Sequence, residues 1–386
     1  MSLFNFPQLP DIDYKTHNEE VALIWKNYTT DNHIRMPMIL GINPRILLCD
    51  PKINKKKITF KEYTNSPDLM AEVQCELSYY IRHYILQDGY MGLPDSWNIY
   101  VDFQNYFEAG WYGCEIIYRD WNVPASIPML HDDNKEKLFY DGIPDPFSNL
   151  MAKNKEIYEH MKNKEYIFYD WKVASVSPSA TYTDGPMTVA CNLRGTTEFC
   201  IDLYEDPDYA MKLLDYITEA TIQRLKAWRT YLGQPLKTEG FGFADDSTAL
   251  LSINDYKRFI MPFHKRLIKE LSEEKQPNNI HLCGDATHLF ETLKNELNVM
   301  SFDTGFPVDH GNLIRKLGPD VSINGGPTVS VLQYGKPEDV ERETFRIINE
   351  VKPLTKRFIM REANNLSPCT PLENIYAMYK TVQNFG

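Results

Sequence analysis

No run of apolar side chains in the 386 residues approaches the ~18 that a membrane-crossing helix needs. The amino end, Met1-Ser2-Leu3-Phe4-Asn5-Phe6-Pro7, turns polar and acidic at once, without the basic and long apolar regions of a secretory leader. These two features predict a cytoplasmic chain with no membrane attachment. Positive charge is also in short supply: 41 Lys and Arg stand against 53 Asp and Glu, a formal net charge of -12. A phosphate backbone needs a basic face, so no nucleic-acid partner is expected. Gly/Ser-rich linkers and low-complexity runs are missing, which favours one large decorated domain over a string of small ones. The cysteines are few and odd in number: Cys49, Cys75, Cys114, Cys191, Cys200, Cys283 and Cys369. Scattered in this way they build no disulfide framework and read as reduced thiols, most of them small core residues.

From about residue 180 onward the chain has a regular rhythm. Short apolar segments at Thr238 to Phe243, Asn279 to Cys283, Val299 to Asp303, Val321 to Asn324 and Arg357 to Met360 alternate with helical patterns at Pro207 to Tyr231, Asn254 to Glu274, Thr287 to Glu296, Pro337 to Val351 and Pro371 to Gln383. Strand, loop and helix in this order imply parallel strands joined by helices, and the number of units points to an α/β chain forming a (β/α)8 TIM barrel over residues 96–386. Residues 1–95 are irregular and aromatic, and read as an N-terminal extension packing on the barrel, with a helix from Asp68 to Gln87 covering one end. Trp97 to Phe103 forms a further strand, with Asp102 near its end. Phe103, Tyr106, Phe107, Trp111 and Tyr112, which lie just beyond, either line a pocket for a flat ligand or cap the core.

In such barrels the loops after the strands carry the chemistry. Alternation along Asn279-Ile280-His281-Leu282-Cys283-Gly284-Asp285 turns His281 and Cys283 to one side where the strand ends. An imidazole and a thiolate so placed are two ligands for zinc, although the same spacing equally fits a core histidine beside a buried strand cysteine. Cys369, in the loop after the last strand, is the candidate third metal ligand, because barrel closure brings that loop to the same mouth. Three ligands leave one coordination position open for a substrate. Glu239, Asp245, Asp246, Asp285 and Asp303 are carboxylates able to add a ligand, accept a thiol proton or orient His281. Glu239, Asp245 and Asp303, with Asp102, are the catalytic candidates. Asp285, following Gly284, reads as a helix cap. The Gly325-Gly326 turn falls at another strand end and marks a cofactor-binding position.

Several segments together resemble the uroporphyrinogen decarboxylase superfamily, and within it the zinc-dependent, corrinoid-linked methyltransferases of the methylcobamide:coenzyme M type. They are Phe199-Cys-Ile-Asp-Leu-Tyr-Glu-Asp-Pro207, His281-Leu-Cys-Gly284, Val299-Met-Ser-Phe-Asp303, Val321-Ser-Ile-Asn-Gly-Gly-Pro327, Leu332 to Glu341 and Thr370-Pro-Leu-Glu-Asn-Ile-Tyr-Ala-Met378. The resemblance implies a (β/α)8 barrel, zinc held by the H-x-C motif and a distant C-terminal cysteine, and methyl transfer between a corrinoid (cobalamin) protein and a small-molecule donor or thiol acceptor. No D-x-H-x-x-G cobalamin-binding pattern is evident, so the corrinoid is expected on a separate partner. Two departures stand out. In the methyltransferase branch the last cysteine stands several residues ahead of Thr-Pro-x-Glu-Asn, whereas Cys369 directly precedes Thr370 and Pro371. The arginine-rich motif with which the decarboxylase branch grips porphyrinogen carboxylates has no counterpart, although Asp102 fits the place of its pyrrole-binding aspartate. A metal-independent decarboxylase centred on Asp102 and a non-catalytic small-molecule-binding barrel are the alternatives.

Overall fold

The computed structural model describes residues 2–386. Seven strands matter for the site: β1 (Trp97–Tyr100), β2 (Trp171–Ser177), β3 (Gly242–Ala244), β4 (Asn278–Leu282), β5 (Val299–Thr304), β6 (Ser322–Gly325) and β7 (Phe358–Met360). The last five form one parallel sheet in the order β7-β6-β5-β4-β3, and β1 pairs in parallel with β2. A parallel bridge from Asp184 to Ala244 joins the segment after β2 to β3, and another from Met38 to Met360 adds an N-terminal segment beside β7. The chain is thus α/β, as its rhythm predicts. Among the described residues, however, no backbone pairing links the Met38 segment to β1, so hydrogen bonds do not close the expected barrel into a ring.

Strand pairing puts chemistry in register. Ala244 lies opposite His281, His281 opposite Asp303, and Asp303 opposite Asn324, while Asp184 extends the same row beyond Ala244. Side chains alternate across a strand, so Ile280 and Leu282 enter the buried layer under the helices while His281 turns to the inner face. One row of backbone therefore presents an acid, an imidazole and a second acid to a common space.

The helices behave as their sequences direct, with one instructive exception. Asp206 caps Pro207–Tyr231 through the Tyr209 amide, with Pro207 placed where its missing N–H costs nothing. Ser66 caps Pro67–Tyr84 in the same manner. The pattern from Asn254 to Glu274 predicts one helix, but it is broken into Ile253–Asp255, a π-helical turn Tyr256–Ile260 and Met261–Leu271. Pro262 lacks the N–H that a continuous helix needs at that point, and the wide turn absorbs the loss. The helix after β4 begins only at Phe290, so Asp285 is exposed and caps nothing. Buried side chains from Phe4 to Val382 form one continuous hydrophobic cluster, in which Met36, Met38 and Leu40 take part with the strands. Among the described residues no helix is long and apolar enough to cross a membrane.

Candidate metal centre

At the carboxyl ends of β3 and β4 three donor groups converge. The nitrogen, sulfur and oxygen donors of His281, Cys283 and Asp246 all lie within 4.8 Å of one another. His281 Nε2 is 2.8 Å from Cys283 Sγ and 3.9 Å from Asp246 Oδ1, and the Cys283 amide donates to that same oxygen at 2.7 Å. The second ring nitrogen of His281 is 2.7 Å from Asp303 Oδ2, and Arg361 Nη1 donates to that same oxygen at 3.0 Å and lies 2.9 Å from Oδ1. Arg361 in turn reaches buried Glu362 and the Asn364 carbonyl, and Glu362 accepts the Gly41 amide. This chain of contacts fixes the imidazole's rotation with Nδ1 held by Asp303 and Nε2 turned toward Cys283 Sγ and Asp246.

Electrostatics favour a cation at this point. Burial, reinforced by Asp246 and Asp303, pushes the Cys283 thiol far above its usual range, so no thiolate forms without a compensating positive charge. Burial opposes charge on His281 too, but the hydrogen bond and negative charge of Asp303 outweigh it and raise its pKa. Glu362 is pushed up to about 7, burial winning over its Arg361 partner. A mixed N, S and O donor set with an oriented imidazole and surplus negative charge fits a zinc-sized divalent ion. The cluster opens into a polar cavity of about 560 Å3, whose lining includes Arg45, Asn105, Asp184 and Asn192.

The sequence-derived candidates divide sharply. His281, Cys283 and Asp303 come together as expected. Cys369 does not: it is exposed, with a left-handed backbone (φ 62°), and its thiol interacts with Asp50. The final loop instead brings Asn364 to the cluster, with Oδ1 3.3 Å from Cys283 Sγ. Glu239 is exposed ahead of β3, at the amino end of the sheet and away from the mouth; the strand begins four residues later than the apolar pattern suggests. Asp245 is fully buried and faces away from the cavity, accepting from the Thr188 amide and His264 Nε2, each at 2.7 Å. Asp102 is buried against Tyr63 and Gln104, and burial raises its pKa. Gly325 and Gly326 lie in close packing: a Cβ would come within 2.4 Å of His310 Nε2 at the first and 2.0 Å of the Arg361 carbonyl at the second. Asp184 and Arg45 were absent from the candidates. Thr183-Asp184-Gly185-Pro186 reads only as a turn, and Arg45 lies in a stretch whose Pro37, Gly41 and Pro44 mask any pattern.

The sequence pattern of the uroporphyrinogen decarboxylase (URO-D) family matches residues 30–385. The chain belongs to this family. Among URO-D relatives, a methylated-thiol–coenzyme M methyltransferase of Methanosarcina mazei is 31% identical over 197 residues, 50% of this chain and 49% of that protein. A uroporphyrinogen decarboxylase of Geobacter metallireducens is 26% identical over 222 residues, 56% of this chain and 62% of the relative. A methylcobamide:CoM methyltransferase of M. mazei is 22% identical over 286 residues, 74% of this chain and 79% of the relative. The matched part thus spans about half the length of the first of these URO-D proteins. In three dimensions a methyltransferase from M. mazei superposes with a TM-score of 0.62 at 16% identity, covering 97% of this chain and 99% of that one, a likeness of fold. Methyltransferase-like homology within the URO-D family supports an enzyme.

Proposed function

We propose that this chain is a zinc-dependent methyltransferase that moves a methyl group between a corrinoid carried on a separate protein and a small-molecule donor or thiol acceptor. The observation that carries the reading is the His281–Cys283 pair, its imidazole locked by Asp303, at the wall of a cavity large enough for a small substrate. The strands are read as a (β/α)8 barrel whose mouth holds this site. Similarity to relatives named for methylated thiols and methylcobamide supports the chemistry, and the arginine-rich motif with which the decarboxylase branch grips porphyrinogen carboxylates has no counterpart in this sequence.

His281 and Cys283 would hold the ion, which when bound supplies a Lewis acid that lowers the pKa of a substrate thiol. Asp303 keeps His281 Nδ1 engaged, so that Nε2 stays directed at the ion. His281 and Cys283 are half-buried, which limits water on one side of the centre, while the cavity leaves the other side open to substrate. Asn105, Asn192 and Arg45 offer polar contacts that orient a small molecule before transfer. Elemental analysis of the purified protein, with methyl transfer measured from a methylated corrinoid to a panel of thiols, tests the reading. Stoichiometric zinc is expected, with transfer lost in His281→Ala and Cys283→Ser. Metal-free protein whose activity survives both substitutions sinks it and turns attention to decarboxylation at Asp102.

A further inference from the structure

The site described above leaves a specific question about its third ligand, and the surrounding loops answer it. The expected ligand, Cys369, sits in a turn fixed on the surface: Thr370 donates from its amide and hydroxyl to the Ser367 carbonyl, and Gln333 Nε2 donates to the Pro368 carbonyl at 2.8 Å. Its thiol faces Asp50. The residue of that loop that does approach Cys283 is Asn364, whose carbonyl is pinned by Arg361 Nη2 at 2.8 Å and whose side chain is a neutral amide.

A carboxylate fills the vacant role from the other flank. Asp245 and Asp246 are adjacent and point in opposite directions. Asp245 is the anchor: it receives the Thr188 amide at the start of the helix Pro186–Arg194 and a hydrogen bond from His264, itself held by Tyr256 at 3.0 Å. Packing at this anchor is tight enough that a Cβ on Gly185 would come within 2.3 Å of Asp245 Oδ2. The Ser247 amide donates to Thr188 Oγ1 at 3.0 Å and fixes the following residue. Between these two fixed points Asp246 is presented to the cavity, one oxygen on the Cys283 amide and the other free. Its carboxylate position is therefore set before any ion arrives, which is what a ligand needs if binding is not to incur a reorganisation cost.

Building on the metal reading above, we infer that this chain holds its ion in a one-thiolate centre made of His281 Nε2, Cys283 Sγ and an Asp246 carboxylate oxygen, with Cys369 outside it. One thiolate and one carboxylate neutralise a divalent ion, and the hard oxygen donor makes the set accept cobalt(II) as well as zinc. The fourth position remains open to the cavity.

Cobalt(II) loaded into the full chain reports the ligands directly, because the intensity of the near-ultraviolet thiolate-to-cobalt charge-transfer band rises with each bound thiolate. The expected band is that of a single thiolate, unchanged in intensity and stoichiometry by Cys369→Ser, a surface substitution that leaves the fold intact. Asp246→Asn keeps the band but weakens cobalt and zinc binding by at least the ~10-fold that loss of even an outer-shell partner brings. Asn364→Cys adds a second thiolate and roughly doubles the band. A two-thiolate band that halves in Cys369→Ser overturns the inference while leaving the metal reading standing. Failure of the wild-type chain to bind either metal overturns both.

Discussion

Asp303→Asn is the substitution that most directly probes how the fold prepares the centre. The wild-type carboxylate holds Oδ2 2.7 Å from His281 Nδ1 and 3.0 Å from Arg361 Nη1, while Oδ1 lies 2.9 Å from that same Nη1. An asparagine of equal size keeps the shape but loses the negative charge that both contacts rely on. If its oxygen faces His281, its NH2 group confronts the Arg361 guanidinium, donor against donor. If its oxygen faces Arg361, the NH2 donates to Nδ1 and forces the imidazole proton onto Nε2, the nitrogen that must be free for the ion. Either arrangement removes a charge-assisted bond and loosens the ring. Loss of such an outer-shell partner lowers metal affinity by ~10–100-fold, which corresponds to about 1.4–2.7 kcal/mol. Competition with a chromophoric chelator at neutral pH measures the zinc affinity of both proteins, and urea unfolding of the metal-free forms controls for stability. Zinc affinity within twofold of wild type would show that Asp303 does not orient His281 and would remove the main structural argument for a prepared metal site.

Two further expectations concern the scaffold. Glu108 is buried against Arg224, Thr183 and the Asp184 amide, so Glu108→Ala leaves the buried Arg224 guanidinium with carbonyl and hydroxyl partners but without its carboxylate, and is expected to cost about 3–5 kcal/mol in urea unfolding; a loss under ~1 kcal/mol would contradict this. His310 is buried with neither ring nitrogen hydrogen-bonded, and burial lowers its pKa from the ordinary 6.5 to about 4. The unfolded chain then binds a proton that the folded chain refuses, so stability is complete above pH ~6.5 and falls as pH drops toward ~4, by up to about 3 kcal/mol. His310→Leu should flatten this acid loss in unfolding experiments between pH 7 and pH 4, and an unchanged slope would show that other groups cause it.

Much of the architecture was legible because its signals are local. The apolar strands and the alternation of strand with helix are set by side-chain periodicity over a few residues. The broken helix at Tyr256 was missed because the apolar pattern continues across Pro262 even though the hydrogen-bond ladder does not. Glu239 became a candidate by residue type alone. It is the second residue of the predicted strand Thr238 to Phe243, and pairing with β4 starts only at Gly242, so it lies ahead of the strand at the amino end of the sheet.

The sequence by itself determined that His281 and Cys283 share one side of a strand end, since a period of two is a property of extended backbone wherever it occurs. It also carried the family resemblance on segments distributed across the second half of the chain. Only the tertiary structure decided which partners complete the centre. Asp303 faces His281 because β4 and β5 pair in one particular register, and Asp246 faces the cavity because Asp245 is claimed by a helix start some 57 positions earlier in the chain. Asn364 arrives in place of Cys369 because the final loop turns through left-handed backbone at Asn364, φ 100°, and again at Cys369. Register, helix placement and loop handedness arise from contacts between distant segments, which no short stretch of residues encodes.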